Sequence, residues 1–369
     1  MWAVTPALTG VAVLAAAVGV TVLIRRTRRD RVTLAWMFGA LAVVGAAAVA
    51  ALVPLRILGL NAFGIIHLIY LCAVVSVPLV GLVTLALFPS RRVTTGAVVG
   101  ATVLIAAAPL GWYMTHIAPF DMRVETVEVP IPGTHVDEPV RIAVLADLQT
   151  AGVGNHERRA IEAVIASDPD IVLIPGDLFQ GTDDEFDGEV AELQRLLRDL
   201  DAPSGVYLTR GDTDGGDRAD RAIAGSGITI LDDRVVQVGV RGTTVWIGGT
   251  RLDYASESAD LVRQQLTSAP TEDITLLVSH RPDTALALSP AAGVDLTVAG
   301  HTHGGQVSLP GVGPLMTLSD VPRDVAAGGL HTISGNRIYV SPGIGLERGQ
   351  APQLRFLVRP TVGVLDLGE

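Results

Sequence analysis

The sequence predicts an α/β domain preceded by a region of four transmembrane helices. The 369 residues fall into two parts that meet near Met114, and 49% of all residues are apolar. Before Met114 long apolar runs dominate, and Asp30 is the only acidic residue. After Met114, short apolar runs typical of strands alternate with helix-like segments, separated by Gly and Pro. Such alternation is typical of domains in which helices cover β-sheets.

The first part contains four apolar segments that are long enough to cross a bilayer, because a spanning helix needs about 20 residues. The segments are Val4–Ile24, Val32–Leu55, Leu60–Phe88 and Thr94–Met114. The first segment lacks the basic residues that precede the apolar run of a cleaved signal peptide. We therefore predict that residues 1–114 form an integral membrane region of four retained helices.

Arginines in the loops between these segments indicate their orientation. Those near the first loop are Arg25, Arg26, Arg28, Arg29 and Arg31, and those of the third loop are Arg91 and Arg92. The second loop has Arg56 alone. Because cytoplasmic loops carry an excess of basic residues, the first and third loops are expected in the cytoplasm. Both termini and the soluble domain are then expected on the extracytoplasmic side.

The soluble part begins with a connector at 115–139, in which the alternating segment Val124–Ile131 predicts an edge strand, and continues as a domain at 140–369. Further strands are predicted at Arg141–Ala146, Ile171–Ile174, Gly205–Thr209, Thr244–Gly248, Ile274–Ser279, Leu296–Ala299, Arg337–Val340, Leu354–Val358 and Val362–Leu367. Helices are predicted at His156–Ala166, Glu189–Leu200, Ser258–Leu266 and Pro282–Leu288. Asn155 is the predicted N-cap of the first of them, and the acidic run at 183–187 is interpreted as a solvated loop.

The charge distribution bears on possible partners. The formal net charge is −11, and the soluble part is more acidic than this total because the first part is basic. Binding to a phosphate backbone depends on Lys and Arg, so a nucleic-acid partner is not expected. Acidic residues gathered at one site could instead hold metal ions.

Metal-binding side chains follow five of the predicted strands. They are Asp147, Asp177, Asp212, His280, His301 and His303. Carboxylate and imidazole together suit divalent metals such as Zn, Mn or Fe. Two such ions clamp a phosphoryl group and deliver a hydroxide nucleophile. Gly176, Gly211 and Gly300 each precede one of these residues, and we expect them to let the backbone turn tightly off the strand.

The order of these motifs resembles the calcineurin-like metallophosphoesterases. The motifs are Asp147-x-Gln149, Gly176-Asp177, Gly211-Asp212-Thr213-Asp214, His280 and Gly300-His301-Thr302-His303. The run after Gly300 and the segment Tyr339–Gly345 are similar to the membrane-anchored branch of that superfamily. The resemblance covers roughly Val140–Leu367 and implies a two-sheet sandwich flanked by helices.

The resemblance also implies roles for individual residues around two divalent metal ions, whose identity stays open among Mn, Fe and Zn. Asp147 and His303 would bind the first ion, and Asp177 would bridge the two. The residues assigned to the second ion are Asp212, His280 and His301. His301 has an alternative role in catalysis, as a contact of the substrate or the hydroxide.

Three positions depart from the family pattern. Gln149 stands where the family has a His ligand, and its neutral amide oxygen would favour harder metals such as Mn or Mg. Asp212 replaces Asn, which keeps an oxygen ligand and adds charge. Thr213 replaces the His that protonates the leaving group, so His156, Asp214 or a water would have to take over that role. Asp214 is therefore predicted as a catalytic residue.

Two functions from different classes fit these residues. The first is a metal-dependent phosphoesterase that acts on a phosphorylated small molecule or, given the membrane region, a lipid-linked phosphoester or diphosphate. The second is a catalytically weakened metal-binding module with a ligand-binding or signalling role, which the residues Gln149 and Thr213 favour. A transporter is disfavoured because the spans contain almost no ionisable residues. The sequence does not determine the oligomeric state.

Overall fold

The computed structural model describes residues 4–27, 31–87, 93–131 and 138–368. The chain divides into two compact units, one of Met1–Ile117 with Arg348–Gln353 and one of Ala118–Glu347 with Leu354–Glu369. The border at residue 117 lies three residues beyond the predicted one, and most of the predicted connector belongs to the second unit. Residues 132–137 of that connector lie outside the described residues.

The first unit contains the four apolar helices that the sequence predicts, each long and apolar enough to cross a membrane. They are α1 (Val4–Thr27), α2 (Leu34–Ile57), a third helix made of α3 (Ala62–Leu71), a π-helical turn (Cys72–Ser76) and α4 (Val77–Leu87), and α5 (Thr95–His116). Of the arginines used to predict orientation, Arg28, Arg29, Arg91 and Arg92 lie outside the described residues, as does Phe88 at the end of the predicted third span.

The second unit contains two six-stranded sheets, as the resemblance implies. In spatial order, the first consists of β1 (Arg123–Pro130), β14 (Thr361–Gly368), β2 (Val140–Val144), β3 (Ile171–Pro175), β4 (Val206–Thr209) and β5 (Thr229–Ile230). The second consists of β12 (Gly329–Ile333), β13 (Asn336–Val340), β9 (Leu296–Ala299), β8 (Ile274–Ser279), β7 (Thr243–Thr250) and β6 (Arg234–Val240). A short hairpin pairs β10 (Ser308–Leu309) with β11 (Gly313–Pro314).

The helices of this unit are α6 (Asn155–Ala166), α7 (Asp183–Leu197), α8 (Arg218–Ala222), α9 (Glu257–Thr267) and α10 (Arg323–Ala326). Apolar side chains of both sheets form one buried cluster, which includes Ile142, Leu173, Val245 and Leu276. A second cluster joins the other face of the first sheet to side chains of α6 and α7. The central strands are buried on both faces, which explains why they are continuous apolar runs without polar alternation. The prediction of a two-sheet sandwich flanked by helices is confirmed.

Three local predictions were wrong. Leu354–Val358 forms no regular strand; Phe356 makes an isolated bridge to Val307. Helix α6 begins one residue earlier than predicted, with Gly154 as its N-cap, because Glu157 accepts a hydrogen bond from the Gly154 backbone. The acidic run at 183–187 is the start of α7 and not a loop. Acidic side chains are favourable in a first helical turn, where they face the positive end of the helix dipole.

The two sheets approach each other closely at Gly249, and this predicts a difference between two strand glycines. A Cβ at Gly249 would lie 2.3 Å from Leu231 Cβ and 2.4 Å from the Leu231 carbonyl oxygen, whereas a Cβ at Gly239 meets nothing within 4 Å. We expect Gly249→Ala to lower the free energy of unfolding by about 1–3 kcal/mol through overpacking. Gly239→Ala should be neutral or slightly stabilising. Thermal unfolding of the full chain in detergent compares them, and equal stability of the two variants would contradict this view of the sheet contact.

Candidate metal centre

The predicted ligands gather at one edge of the two sheets. Asp147 follows β2, Asp177 follows β3 and Asp212 follows β4, and these strands run parallel. His280 follows β8 and His301 follows β9, which are parallel in the second sheet. Ligands of α/β sheets bind outside the carboxyl ends of strands. Two groups of side chains that could hold a metal ion result: Asp212 with His280 and His301, and Asp147 with Asp177 and His280.

Backbone carbonyls fix the tautomers of both histidines of the first group. The Nδ1 of His280 lies 2.9 Å from the carbonyl oxygen of Pro175, and the Nε2 of His301 lies 3.1 Å from that of Leu318. A carbonyl oxygen can only accept, so each of these nitrogens carries the proton. The other nitrogen of each ring is left as a metal-binding atom, as in most protein metal sites.

The remaining atoms of this group converge on one point. Asp212 Oδ2 lies 3.3 Å from His280 Nε2 and 3.1 Å from His301 Nδ1, and the two ring nitrogens lie 3.1 Å apart. Arg281 forms an ion pair with Asp212. An oxygen and two imidazole nitrogens, with their tautomers set by backbone, are a donor set that fits a divalent ion.

The second group brings two buried carboxylates to His280. Asp177 Oδ2 lies 3.6 Å from His280 Nε2, and Asp147 Oδ1 lies 3.8 Å from His280 Nδ1. Backbone N–H groups orient both acids: Thr213 donates to Asp177 over 2.8 Å, and His301 donates to Asp147 over 3.0 and 3.1 Å. Two ionised carboxylates this close together repel each other unless a cation lies between them.

The charges of the cluster are strongly coupled. Burial raises the pKa of Asp147 to about 7, helped by Asp177 and opposed by His280. Burial opposes charge on His280, but Asp177, Asp212 and Asp147 outweigh it and raise the pKa of His280 to about 10. Burial also raises the pKa of Asp212, but His280, His301 and Arg281 hold that pKa far below its usual range. The cluster therefore attracts cations, and metal binding at His280 would release a proton.

Five of the predicted ligands have a left-handed backbone, which is uncommon outside glycine. Their φ angles are 47° at Asp147, 36° at Gln149, 57° at Asp177, 71° at His301 and 49° at His303. Strain of this kind persists only where the surrounding structure enforces it, and it is concentrated at functional sites. The backbone conformation thus determines the direction of these side chains, and contacts with neighbouring residues must offset the free energy of the strain.

The three glycines before the ligands act differently from one another. Gly176 alone has a positive φ, 81°, and it makes the tight turn that we predicted. Gly211 and Gly300 have no positive φ, but a turn begins at each: Asp214 donates to the carbonyl oxygen of Gly211 over 3.3 Å, and Thr302 to that of Gly300 over 2.9 Å. They are needed for space: a Cβ would lie 2.1 Å from Asp177 Oδ1 at Gly211 and 2.5 Å from Asp147 Oδ2 at Gly300.

The other two predicted ligands lie close by. His303 is buried, and its Nδ1 has no hydrogen-bond partner among the described residues, which fits a metal-binding atom. Burial lowers the pKa of His303 well below its usual value. Gln149 is fully buried, and its Nε2 donates to Gln180 Oε1 over 3.0 Å and to Glu347 Oε2 over 3.2 Å. Neither residue belongs to the two groups described above, and their ligand roles stay predictions.

Asp214 is hydrogen-bonded to the backbone around the predicted ligand Asp177. Its Oδ2 accepts hydrogen bonds from the backbone of Asp177 (2.7 Å) and Gly211 (2.9 Å), and its Oδ1 accepts one from Leu178 (2.9 Å). Burial, followed by the charge of Asp177, raises the pKa of Asp214 to about 6. These contacts suit a residue that positions Asp177, and the catalytic role of Asp214 stays a prediction. His156, the other candidate acid, contacts the carbonyl oxygen of Ile344 over 3.1 Å.

Sequence reasoning missed Arg355, which has no exposed surface. Its Nη2 donates to the carbonyl oxygens of Pro342 (2.9 Å), Gly343 (3.1 Å) and Gly345 (2.7 Å). The backbone of Gly345 in turn donates to the carbonyl oxygen of Asp147 over 2.7 Å. Burial lowers the pKa of Arg355 to about 10, and Asp147 opposes that shift. Arg355 therefore holds the turn that supports Asp147. Nothing in the local sequence marks it, because its partners are backbone atoms.

The contacts of Asp214 predict a stability effect for an isosteric change. In Asp214→Asn one oxygen becomes an NH₂ group that faces backbone N–H donors, so the free energy of unfolding should fall by about 1–3 kcal/mol. Asp199→Asn, at an exposed position, is the matched control. Thermal unfolding of both variants measures the difference, and a fully stable Asp214→Asn protein would show that the three bonds are dispensable.

Comparison with known proteins agrees with this geometry. The family model described as calcineurin-like phosphoesterase matches residues 140–305. The uncharacterized metallophosphoesterase YkuE of Bacillus subtilis (strain 168) is 30% identical over 266 residues, which cover 69% of this chain and 88% of the relative. Phosphodiesterase YaeI of Escherichia coli (strain K12) is 26% identical over 253 residues, covering 62% and 82%.

A further relative also bears on the helices of the first unit. A protein of Danio rerio named as a transmembrane protein with metallophosphoesterase domain is 27% identical over 263 residues, covering 66% of this chain and 57% of the relative. Together with the four apolar helices, it suggests a membrane protein. The chain belongs to the calcineurin-like metallophosphoesterase family, and it is a hydrolase that acts on phosphoester bonds.

Proposed function

We propose that the protein hydrolyses a lipid-linked phosphoester or diphosphate at the extracytoplasmic surface of a membrane, with two divalent metal ions. The observation that carries the hydrolase is the convergence of Asp212, His280 and His301 beside Asp147 and Asp177. The lipid-linked substrate is inferred from the four apolar helices, and the extracytoplasmic side from the loop arginines. The name of the Escherichia coli relative favours a phosphodiester among the possible substrates.

The residues of the site would have different roles in hydrolysis. Two bound ions supply a hydroxide nucleophile and neutralise charge on the phosphoryl oxygens. Asp177 belongs to one group of ligands and lies next to His280, which belongs to both. Its backbone donates to Asp214, and its side chain accepts a hydrogen bond from the backbone of Thr213. Arg281 pairs with Asp212 and keeps that carboxylate in place. Because these positions are set before substrate binds, little reorganisation is needed during reaction.

The leaving group must depart without the histidine that the family has at position 213. The backbone N–H of Thr213 is used by Asp177, and its hydroxyl does not ionise in the range of a general acid. General acid catalysis contributes about 10²–10⁴-fold to rate, mostly for basic leaving groups. The site therefore favours leaving groups that are stable as anions, such as the phosphate released from a diphosphate linkage.

Hydrolysis itself is tested with bis-p-nitrophenyl phosphate, whose acidic leaving group needs no general acid. With manganese, we expect turnover by the full chain in detergent and a loss of at least about 10²-fold in kcat for Asp177→Asn, since the carboxylate that is predicted to bridge the two ions is removed. Lipid diphosphates are then compared with soluble analogues that have the same phosphoryl group. Absence of turnover in folded, metal-loaded protein would overturn the proposal and favour a metal-binding module.

A second measurement tests the missing acid. We expect Thr213→His to raise kcat toward alkyl phosphodiesters by about 10-fold or more, while leaving the rate for bis-p-nitrophenyl phosphate nearly unchanged. Thr213→Ala serves as the control for the loss of the threonine side chain. A uniform change of rate across leaving groups would show that position 213 acts on the metal ligands and not on proton transfer.

A further inference from the structure

Gln149, Gln180 and Glu347 form a closed set of hydrogen bonds beside the metal centre. The Nε2 of Gln149 donates to Gln180 Oε1 over 3.0 Å and to Glu347 Oε2 over 3.2 Å. The Nε2 of Gln180 donates to Glu347 Oε1 over 2.9 Å. Each carboxylate oxygen of Glu347 thus accepts a hydrogen bond from the amide of one glutamine, and the two amides are also hydrogen-bonded to each other.

The chemistry of this set determines which way both amides point. A carboxylate accepts hydrogen bonds at both oxygens, so each glutamine must turn its NH₂ group toward Glu347. Gln180 then presents its oxygen to Gln149, which again requires the NH₂ group of Gln149 on that side. The Gln149 oxygen consequently faces away from both Glu347 and Gln180. The count of donors and acceptors therefore sets the orientation of the Gln149 amide.

Backbone hydrogen bonds tie this set to Asp177 and to Gln306. The backbone N–H of Gln149 donates to the carbonyl oxygen of Asp177 over 2.7 Å, and Gln149 is fully buried in a left-handed conformation. The backbone N–H of Glu347 donates to Gln306 Oε1 over 2.6 Å. Glu347 also interacts electrostatically with Asp177 and His301.

We propose that Glu347, with Gln180, orients Gln149 so that the amide oxygen of Gln149 binds the first metal ion beside Asp147 and Asp177. The inference rests on the proposed dimetal function. Glu347 is a positioning residue in it and acts through Gln149. The site replaces the family's histidine by an oxygen ligand and supplies two side chains that hold this oxygen in place.

Replacement of the family's histidine by Gln149 affects which metal the first position prefers. Asp147, Asp177 and Gln149 would give the first ion three oxygen ligands beside the imidazole of His303. His280 and His301 would give the second ion two imidazole nitrogens. Oxygen ligands suit Mn²⁺ and Mg²⁺, and imidazole suits Zn²⁺. The first position therefore selects a harder ion than the second.

The test measures manganese binding to the full chain in detergent after removal of metal with a chelator, by isothermal titration calorimetry. We expect two sites in the wild type. Glu347→Gln is isosteric, but its new NH₂ group would face the NH₂ group of Gln149 or of Gln180. One of these two glutamines should then rotate its amide so that its oxygen points toward position 347. Because the loss of a residue that orients a ligand typically costs about 10–100-fold in metal affinity, one of the two sites should weaken by that factor.

A double-mutant cycle separates positioning from simple loss of charge. In the Gln149→Ala background, where no amide remains to be oriented, adding Glu347→Gln should change manganese affinity by less than about twofold if the coupling runs through Gln149. An equal loss in both backgrounds would mean that Glu347 acts by its charge alone and would overturn the proposal. Wild-type affinity in Glu347→Gln would overturn it too.

Two further variants keep the result interpretable. Glu192→Gln removes a carboxylate of α7 that pairs with Arg158 of α6 and Arg195 of α7, and it should leave both sites unchanged. Gln180→Ala removes one acceptor of the Gln149 amide and should weaken the same site if Glu347→Gln does not fold. Metal binding is measured without turnover. A protein that shows the predicted double-mutant cycle but hydrolyses no substrate would contradict the proposed hydrolysis and would still support this inference.

Discussion

The structure depends on holding like charges together at the edge of two sheets. Asp147, Asp177 and Asp212 all reach His280, and two of these acids are almost completely buried. Repulsion between them and the loss of hydration both oppose folding. The arrangement is tolerable because backbone N–H groups and imidazoles face the carboxylates, and bound divalent cations would neutralise their charge. The rest of the second unit is the frame that holds these charged side chains close together.

That frame works mainly through backbone contacts made by buried polar side chains. Asp214 ties the turn after β3 to the turn after β4, and Arg355 ties together the turn that supports Asp147. Both charged groups are buried, and their hydrogen bonds to main-chain atoms offset part of the free energy that burial costs. They explain how ligand residues keep left-handed conformations that cost free energy in isolation.

The chain departs from its family at two places with separate consequences. In our proposals, Gln149, which is hydrogen-bonded to Gln180 and Glu347, affects the binding and choice of metal, whereas Thr213 affects the protonation of the leaving group. A site that keeps its oxygen and imidazole ligands but lacks the acid favours substrates whose products are stable anions. The lipid-linked diphosphate that we propose as substrate meets that condition, and the four apolar helices are the reason for proposing a lipid.

The sequence by itself determined the α/β class, the four apolar helices and the candidate ligands, because each depends on local pattern: apolar length, strand alternation, and ligand residues at strand ends. It could not reveal Arg355 or Glu347, whose partners at Gly345, Gln149 and Gln180 are remote along the chain or are backbone atoms. Nor could it show that glycine is needed at positions 211 and 300 for space and not for a positive φ. Only the tertiary structure decided these points, because the distance between atoms of different strands is set by the packing of the sheets.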